Sequence, residues 1–198
     1  MALFSLDHWP LLFVCAAMIV AAVIDGWKLK VPNWLTFPLV LSGWVLGLVH
    51  NFGLWEATGM GGIGASLAGA GLGFMLLFPV YAIGGMGAGD VKMQMGFGAW
   101  IGAFYGFDGV GGSPGALKII WWAFALAVLI GGVLATIMIA VRGQYRRNLL
   151  NTRAILGELA GGVGNAAAKA AERKPRMHLL PYGIPLCLGF VSYLILLH

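Results

Sequence analysis

Six long apolar runs, separated by short stretches that hold most of the charge, order the chain. They cover about residues 9–26, 33–50, 60–83, 91–107, 117–141 and 179–197. A helix needs about 20 apolar residues to cross a bilayer, and fewer where its ends are anchored. The pattern therefore predicts an all-α, polytopic membrane helix bundle of six transmembrane helices. The fourth run is the shortest, is rich in glycine, and begins with Lys92 and Gln94. The third run repeats small residues every four positions, at Gly61, Ala65, Gly69 and Gly73, and the fourth does the same at Gly98, Gly102 and Gly106. Each series lines one helix face, where small residues let backbones approach, so close helix packing is expected there.

Composition supports a membrane solvent. Of 198 residues, 60% are hydrophobic and only 10% are charged, roughly half the charged share of a soluble domain. The chain reads as one membrane-embedded domain, 1–198. Asp7 and His8 precede the first run where a cleavable signal would carry positive charge, so that run is expected to remain as a span. The two cysteines, Cys15 and Cys187, each sit within an apolar run and form no CxxC pair. Neither a zinc site nor a redox motif is expected, and both read as packing residues. No metal or cofactor is called for.

Charge sets the orientation. With the N-terminus outside, the inner side receives Lys28, Lys30, Lys92, Arg142, Arg146, Arg147, Arg153, Lys169, Arg173, Lys174 and Arg176. The outer side receives only Lys118. This bias supports an even number of spans with both termini outside. The inner segment 142–178 is basic, with Leu149, Leu156, Leu159 and Val163 near helical spacing. It reads equally as a helix on anionic lipids or as a solvated loop. Topology accounts for the basic charge, so nucleic acid is not an expected partner.

Two acids resist that account. Asp7, Glu56, Asp108, Glu158 and Glu172 fall in ends, loops or the basic segment, where water is available. Asp25 instead lies at the inner end of the first span, after ten residues without a polar side chain, and Asp90 lies at the inner start of the fourth. They are 65 residues apart in sequence, yet topology puts both at one membrane face and at similar depth. Taken singly, Asp25 reads as an interfacial carboxylate paired with Lys28, and Asp90 as a helix cap. Taken together they suggest a dyad, because acids at membrane depth are rare and usually functional. Two carboxylates around one water cannot both ionise easily, so one takes a proton from water while the other gives one to a peptide carbonyl. The loop "GGMGAGD" before Asp90 fits that chemistry, since Gly87 and Gly89 leave room for an extended substrate strand. It lacks the GxGxxG spacing and the GK[ST] ending of phosphate cradles.

These residues resemble a known family. "GAGDVK" (Gly87 to Lys92) looks like the GxGD motif of membrane aspartyl proteases. Asp25 followed by "KVPNW" (Lys30 to Trp34) looks like the first catalytic Asp and the following Pro-Asn of type IV prepilin peptidases, and "LPYGIPLCLG" (Leu180 to Gly189) is similar to the start of their last helix. The resemblance runs over essentially the whole chain. It implies that Asp25 and Asp90 are the catalytic pair of an aspartyl endopeptidase. Such an enzyme removes the leader from prepilin or pseudopilin precursors at the cytoplasmic face of the bacterial inner membrane, with both termini periplasmic. Lys92, Pro181, Tyr182 and Gly183 become candidate substrate-side residues. For Lys92 an inner positive anchor is the alternative, and for Pro181 to Gly183 a helix-start role. Pro32 and Asn33 are expected to shape the turn into the second span. The larger members carry paired CxxC motifs and also N-methylate the trimmed pilin. Their absence here resembles the short, peptidase-only branch associated with Flp-type tight-adherence pili, so no methyltransferase activity is expected.

Two other readings are weaker. Signal-peptide-peptidase-like or presenilin-like proteases share GxGD, but their partner Asp follows a Tyr, whereas Ile24 precedes Asp25. A small transporter or proton-relay subunit could also use two intramembrane acids, yet no repeat relates the two halves.

Overall fold

The computed structural model describes residues 9–54, 61–82, 85–142 and 182–197. These form six helices and no strand: α1 (Trp9–Lys28), α2 (Asn33–Asn51), α3 (Ile63–Ala82), α4 (Ala88–Tyr105), α5 (Ala116–Arg142) and α6 (Gly183–Leu197). Each falls on one of the six apolar runs to within a few residues. The basic stretch 143–178, read above as a surface helix or a loop, lies outside the described residues.

Four helices, α1, α2, α3 and α5, are long and apolar enough to cross a membrane by themselves. The other two predicted spans differ for distinct reasons. Helix α6 has 15 residues, about 22 Å of helix, short of the ~30 Å hydrocarbon core. Helix α4 is enclosed by protein: fourteen of its eighteen residues are buried, and it packs against α1, α2, α3 and α5. A helix shielded from lipid on most sides does not need lipid-like side chains.

The small-residue series explain how α4 fits. A Cβ added to Gly69 would strike the Gly98 carbonyl oxygen, and one added to Gly98 would strike that of Gly69. Gly102 is seated likewise against the carbonyl of Ala65, and Gly61 against that of Gly102. At Gly73 a Cβ would lie 2.6 Å from the Gln94 carbonyl oxygen. The two series therefore face one another, and α3 and α4 touch backbone to backbone. The contact is closed by polar groups with partners. Ser66 Oγ lies 2.9 Å from the Ala99 carbonyl and 3.0 Å from that of Gly43, tying α2, α3 and α4. Trp100 Nε1 donates to the Leu39 carbonyl at 2.9 Å.

The helices α1, α5 and α6 complete the bundle, with α6 packed on both of the others. Phe97 of α4 stacks on Phe190 of α6, with ring centroids 4.1 Å apart. The outward faces carry Leu41, Val45, Met75, Leu129 and Val133, all exposed in the isolated chain, as lipid contact requires. Trp27 and Trp34 stand exposed near Lys28 and Lys30, where an aromatic belt meets the headgroups.

Two helix ends set the scene for the site. Helix α1 closes through Leu29, whose φ of 51° is left-handed and whose N–H returns to the Asp25 carbonyl at 2.7 Å. The chain turns at once, passes the extended Pro32 (φ −75°, ψ 145°), and enters α2, with the Pro32 carbonyl accepting the N–H groups of Leu35 and Thr36. Pro32 and Asn33 thus shape the turn, as expected from the sequence.

Gly98→Val is expected to lower the thermal midpoint of the purified protein, costing about 1–3 kcal/mol or more through overpacking. Gly71→Ala, whose new Cβ meets nothing within 4 Å, is the matched control and should melt at or above the wild-type temperature.

Candidate active site

Asp25 is carried by the last turn of α1 and is 3% exposed. Its Oδ2 accepts the Gly183 N–H at 2.9 Å. Gly183 opens α6, so this N–H is one of the donors that a helix start leaves unpaired, and the helix dipole there favours negative charge. The approach requires glycine: a Cβ on Gly183 would lie 2.9 Å from Oδ2 and 3.0 Å from the Asp25 Cβ.

Asp90 sits in the first turn of α4 and is 5% exposed. Its Oδ2 reaches back to accept the Gly87 N–H at 3.3 Å, the carboxylate half of a capping box. Its Oδ1 is buried and has no hydrogen-bond partner among the described residues. The capping role considered from the sequence is therefore real, and it occupies only one of the two oxygens.

The two carboxylates lie within electrostatic reach of each other. Tyr182, next to Gly183, also feels the Asp90 charge. Burial, and then that charge, push its phenol above the ordinary value. The start of α6 thus holds Asp25 by a hydrogen bond, and Tyr182 lies within electrostatic reach of Asp90. Among the described residues no three His, Cys, Asp or Glu side chains gather to hold a metal.

The remaining candidates separate. Gly87 supplies the cap N–H, and Asp90 Oδ2 stands 3.4 Å from where its Cβ would be. The space at Gly89, expected to receive a substrate strand, is filled by the chain itself: a Cβ there would lie 2.7 Å from the Val31 carbonyl oxygen. This glycine brings the turn after Asp25 against the start of α4. Lys92 faces α2, where its Nζ donates to Asn33 Oδ1 at 3.0 Å and stands 4.3 Å from the centre of the Phe37 ring. That pairing fits an anchor for α2 better than a partner for Asp90. Pro181 lies outside the described residues.

One polar residue near the acids carries no role in the sequence reading. Gln94, one turn beyond Asp90, is fully buried, and neither its Nε2 nor its Oε1 has a partner among the described residues. The signal was its position: a polar side chain at i+4 from an intramembrane acid.

A family model described as the type IV leader peptidase family matches residues 12–141. That stretch holds both Asp25 and Asp90 but not Tyr182 or Gly183. No curated protein matches the chain, and no solved structure does.

Gly183→Ala is expected to destabilise the protein by about 1–3 kcal/mol, since the methyl and the Asp25 carboxylate cannot share the space. In an Asp25→Ala background the same change should cost far less, a coupling readable from thermal midpoints of the four proteins.

Proposed function

The chain belongs to the type IV leader peptidase family, and from that premise we propose that it is a membrane aspartyl endopeptidase cleaving prepilin-type precursors. Asp25 and Asp90 form its dyad. The observation that carries this reading is that two buried carboxylates, 65 residues apart in sequence, lie within electrostatic reach of each other, one of them held by the first N–H of α6.

The chemistry follows from the pair. Two interacting carboxylates in one site hold one proton between them, and the proton belongs to the pair rather than to either residue. Water binds between them. The ionised carboxylate takes a proton from it as the oxygen attacks the scissile carbonyl carbon, and the protonated one donates to the carbonyl oxygen. The resulting diol collapses, the C–N bond breaks, and the leaving amine takes a proton back from the dyad. Gly183 N–H and Gly87 N–H each hold one oxygen of one acid, which fixes the carboxylates without consuming Asp90 Oδ1. Preorganised donors of this kind cost no rearrangement at the moment of reaction.

Cleavage takes place at the cytoplasmic face of the inner membrane. In support, eleven of twelve lysines and arginines fall on the side of Asp25 and Asp90 when the six helices are threaded in order. The basic leader of a prepilin is drawn to that face by anionic lipid headgroups.

Co-expression with a prepilin tests the dyad. Asp25→Asn and Asp90→Asn should each reduce leader removal by about a thousandfold or more, read from the mobility of the processed pilin. Normal processing by either variant overturns the reading. Orientation is tested by single cysteines: Lys30→Cys should label only from the cytoplasmic side and Asp108→Cys only from the periplasmic side.

A further inference from the structure

Three buried polar atoms along one stripe of α4 lack partners among the described residues: Asp90 Oδ1, Gln94 Nε2 and Gln94 Oε1. Gln94 is entirely buried and Asp90 nearly so. A buried amide without a hydrogen bond costs about 1–3 kcal/mol, so such groups are normally paired with protein or with an ordered water. The geometry of α4 says where that partner belongs. Residues four apart lie on one helix face about 6 Å apart, and helical side chains lean toward the N-terminus. Gln94 therefore leans over the turn that carries Asp90.

Room for the amide comes from α3. Gly73 stands opposite, where a Cβ would be 3.2 Å from Gln94 Cγ and 2.6 Å from its carbonyl oxygen. A larger residue at position 73 would fill the place where the Gln94 side chain begins. Residues at this spacing can pair directly, yet Asp90 Oδ1 and the Gln94 carboxamide make no hydrogen bond to each other or to any other described residue. One water, with two hydrogen bonds of about 2.8 Å each, would serve an atom of both. A polar site with several partners is also what a buried water needs.

We propose that the Gln94 carboxamide and Asp90 Oδ1 hold one buried water between them, which makes Gln94 a positioning residue for Asp90. The amide donates to the water, and the water donates to Oδ1. With Gly87 N–H on Oδ2 and this water on one lone pair of Oδ1, the carboxyl plane keeps its angle toward Asp25, and the second lone pair of Oδ1 stays open for the reaction. Only the effect on catalysis rests on the peptidase reading above; the water bridge itself does not.

The test uses the full chain in detergent or liposomes, with Gln94→Leu and Gln94→Met, which keep the volume and remove the amide, and Gln94→Glu, which replaces the amide with a titratable carboxyl. With a purified prepilin as substrate, all three should lower kcat on the order of tenfold or more and leave KM within about twofold. A purely packing role would leave kcat at the wild-type value in the Leu or Met variant, and that result overturns the proposal. A thermal cycle runs beside it with Gln94→Leu, Asp90→Ala and the double variant. Non-additive midpoints are expected, and additive ones overturn the bridge. Should the wild-type chain cleave no prepilin, the peptidase reading falls, and the thermal cycle alone decides the water bridge.

Discussion

Backbone contact between α3 and α4 is the constraint on which the acid-bearing end of this bundle depends. At Gly69 and Gly98 each helix presses on the other's carbonyl, and no side chain fits between them. Only through that contact can α4 be enclosed by α1, α2, α3 and α5 together. Enclosure is what permits Asp90 and Gln94 to exist there. Facing hydrocarbon, each would carry a polar group that lipid cannot satisfy. Surrounded by helices, they need only a few well-placed partners. The glycine excess of the chain thus serves chemistry indirectly, by taking a polar helix out of the membrane solvent.

Asp90 shows how a single side chain divides its work. One oxygen caps the helix by accepting the Gly87 N–H, and the other has no partner among the described residues. Asp25 is held by a donor from a different helix, through Gly183. Each acid is thus gripped by backbone, which is stiffer than any side chain, and each grip passes through a glycine. The tight turn at Leu29 and the close fit of Val31 against Gly89 set the distance between the two grips.

Much of this was legible in the sequence, for physical reasons. Apolar runs bounded by charges, glycines and prolines mark helices in lipid, and the six runs became six helices. The proposal to pair Asp25 with Asp90 came from counting membrane crossings, because topology is global information encoded in local hydropathy. What stayed hidden depends on distances between elements. Gly89 read as space for a substrate, and the space was already taken by Val31. Lys92 read as a substrate contact or an anchor, and its hydrogen bond to Asn33, 59 residues away, has no counterpart in any local pattern. The length of α4 and its burial looked like weakness in the hydropathy trace. A central helix and a poor span give the same signal until the neighbours are known.

The bond from Gly183 to Asp25 joins residues 158 positions apart. A ribosome reads them in order, so Asp25 enters the membrane long before its donor exists. Until α6 is made and seated against α1, that carboxylate lacks its backbone grip. The grip therefore forms late, after the five preceding helices are in place. A nascent chain holding those five carries both acids, and Asp25 is then buried or solvated without the donor that holds it in the finished bundle.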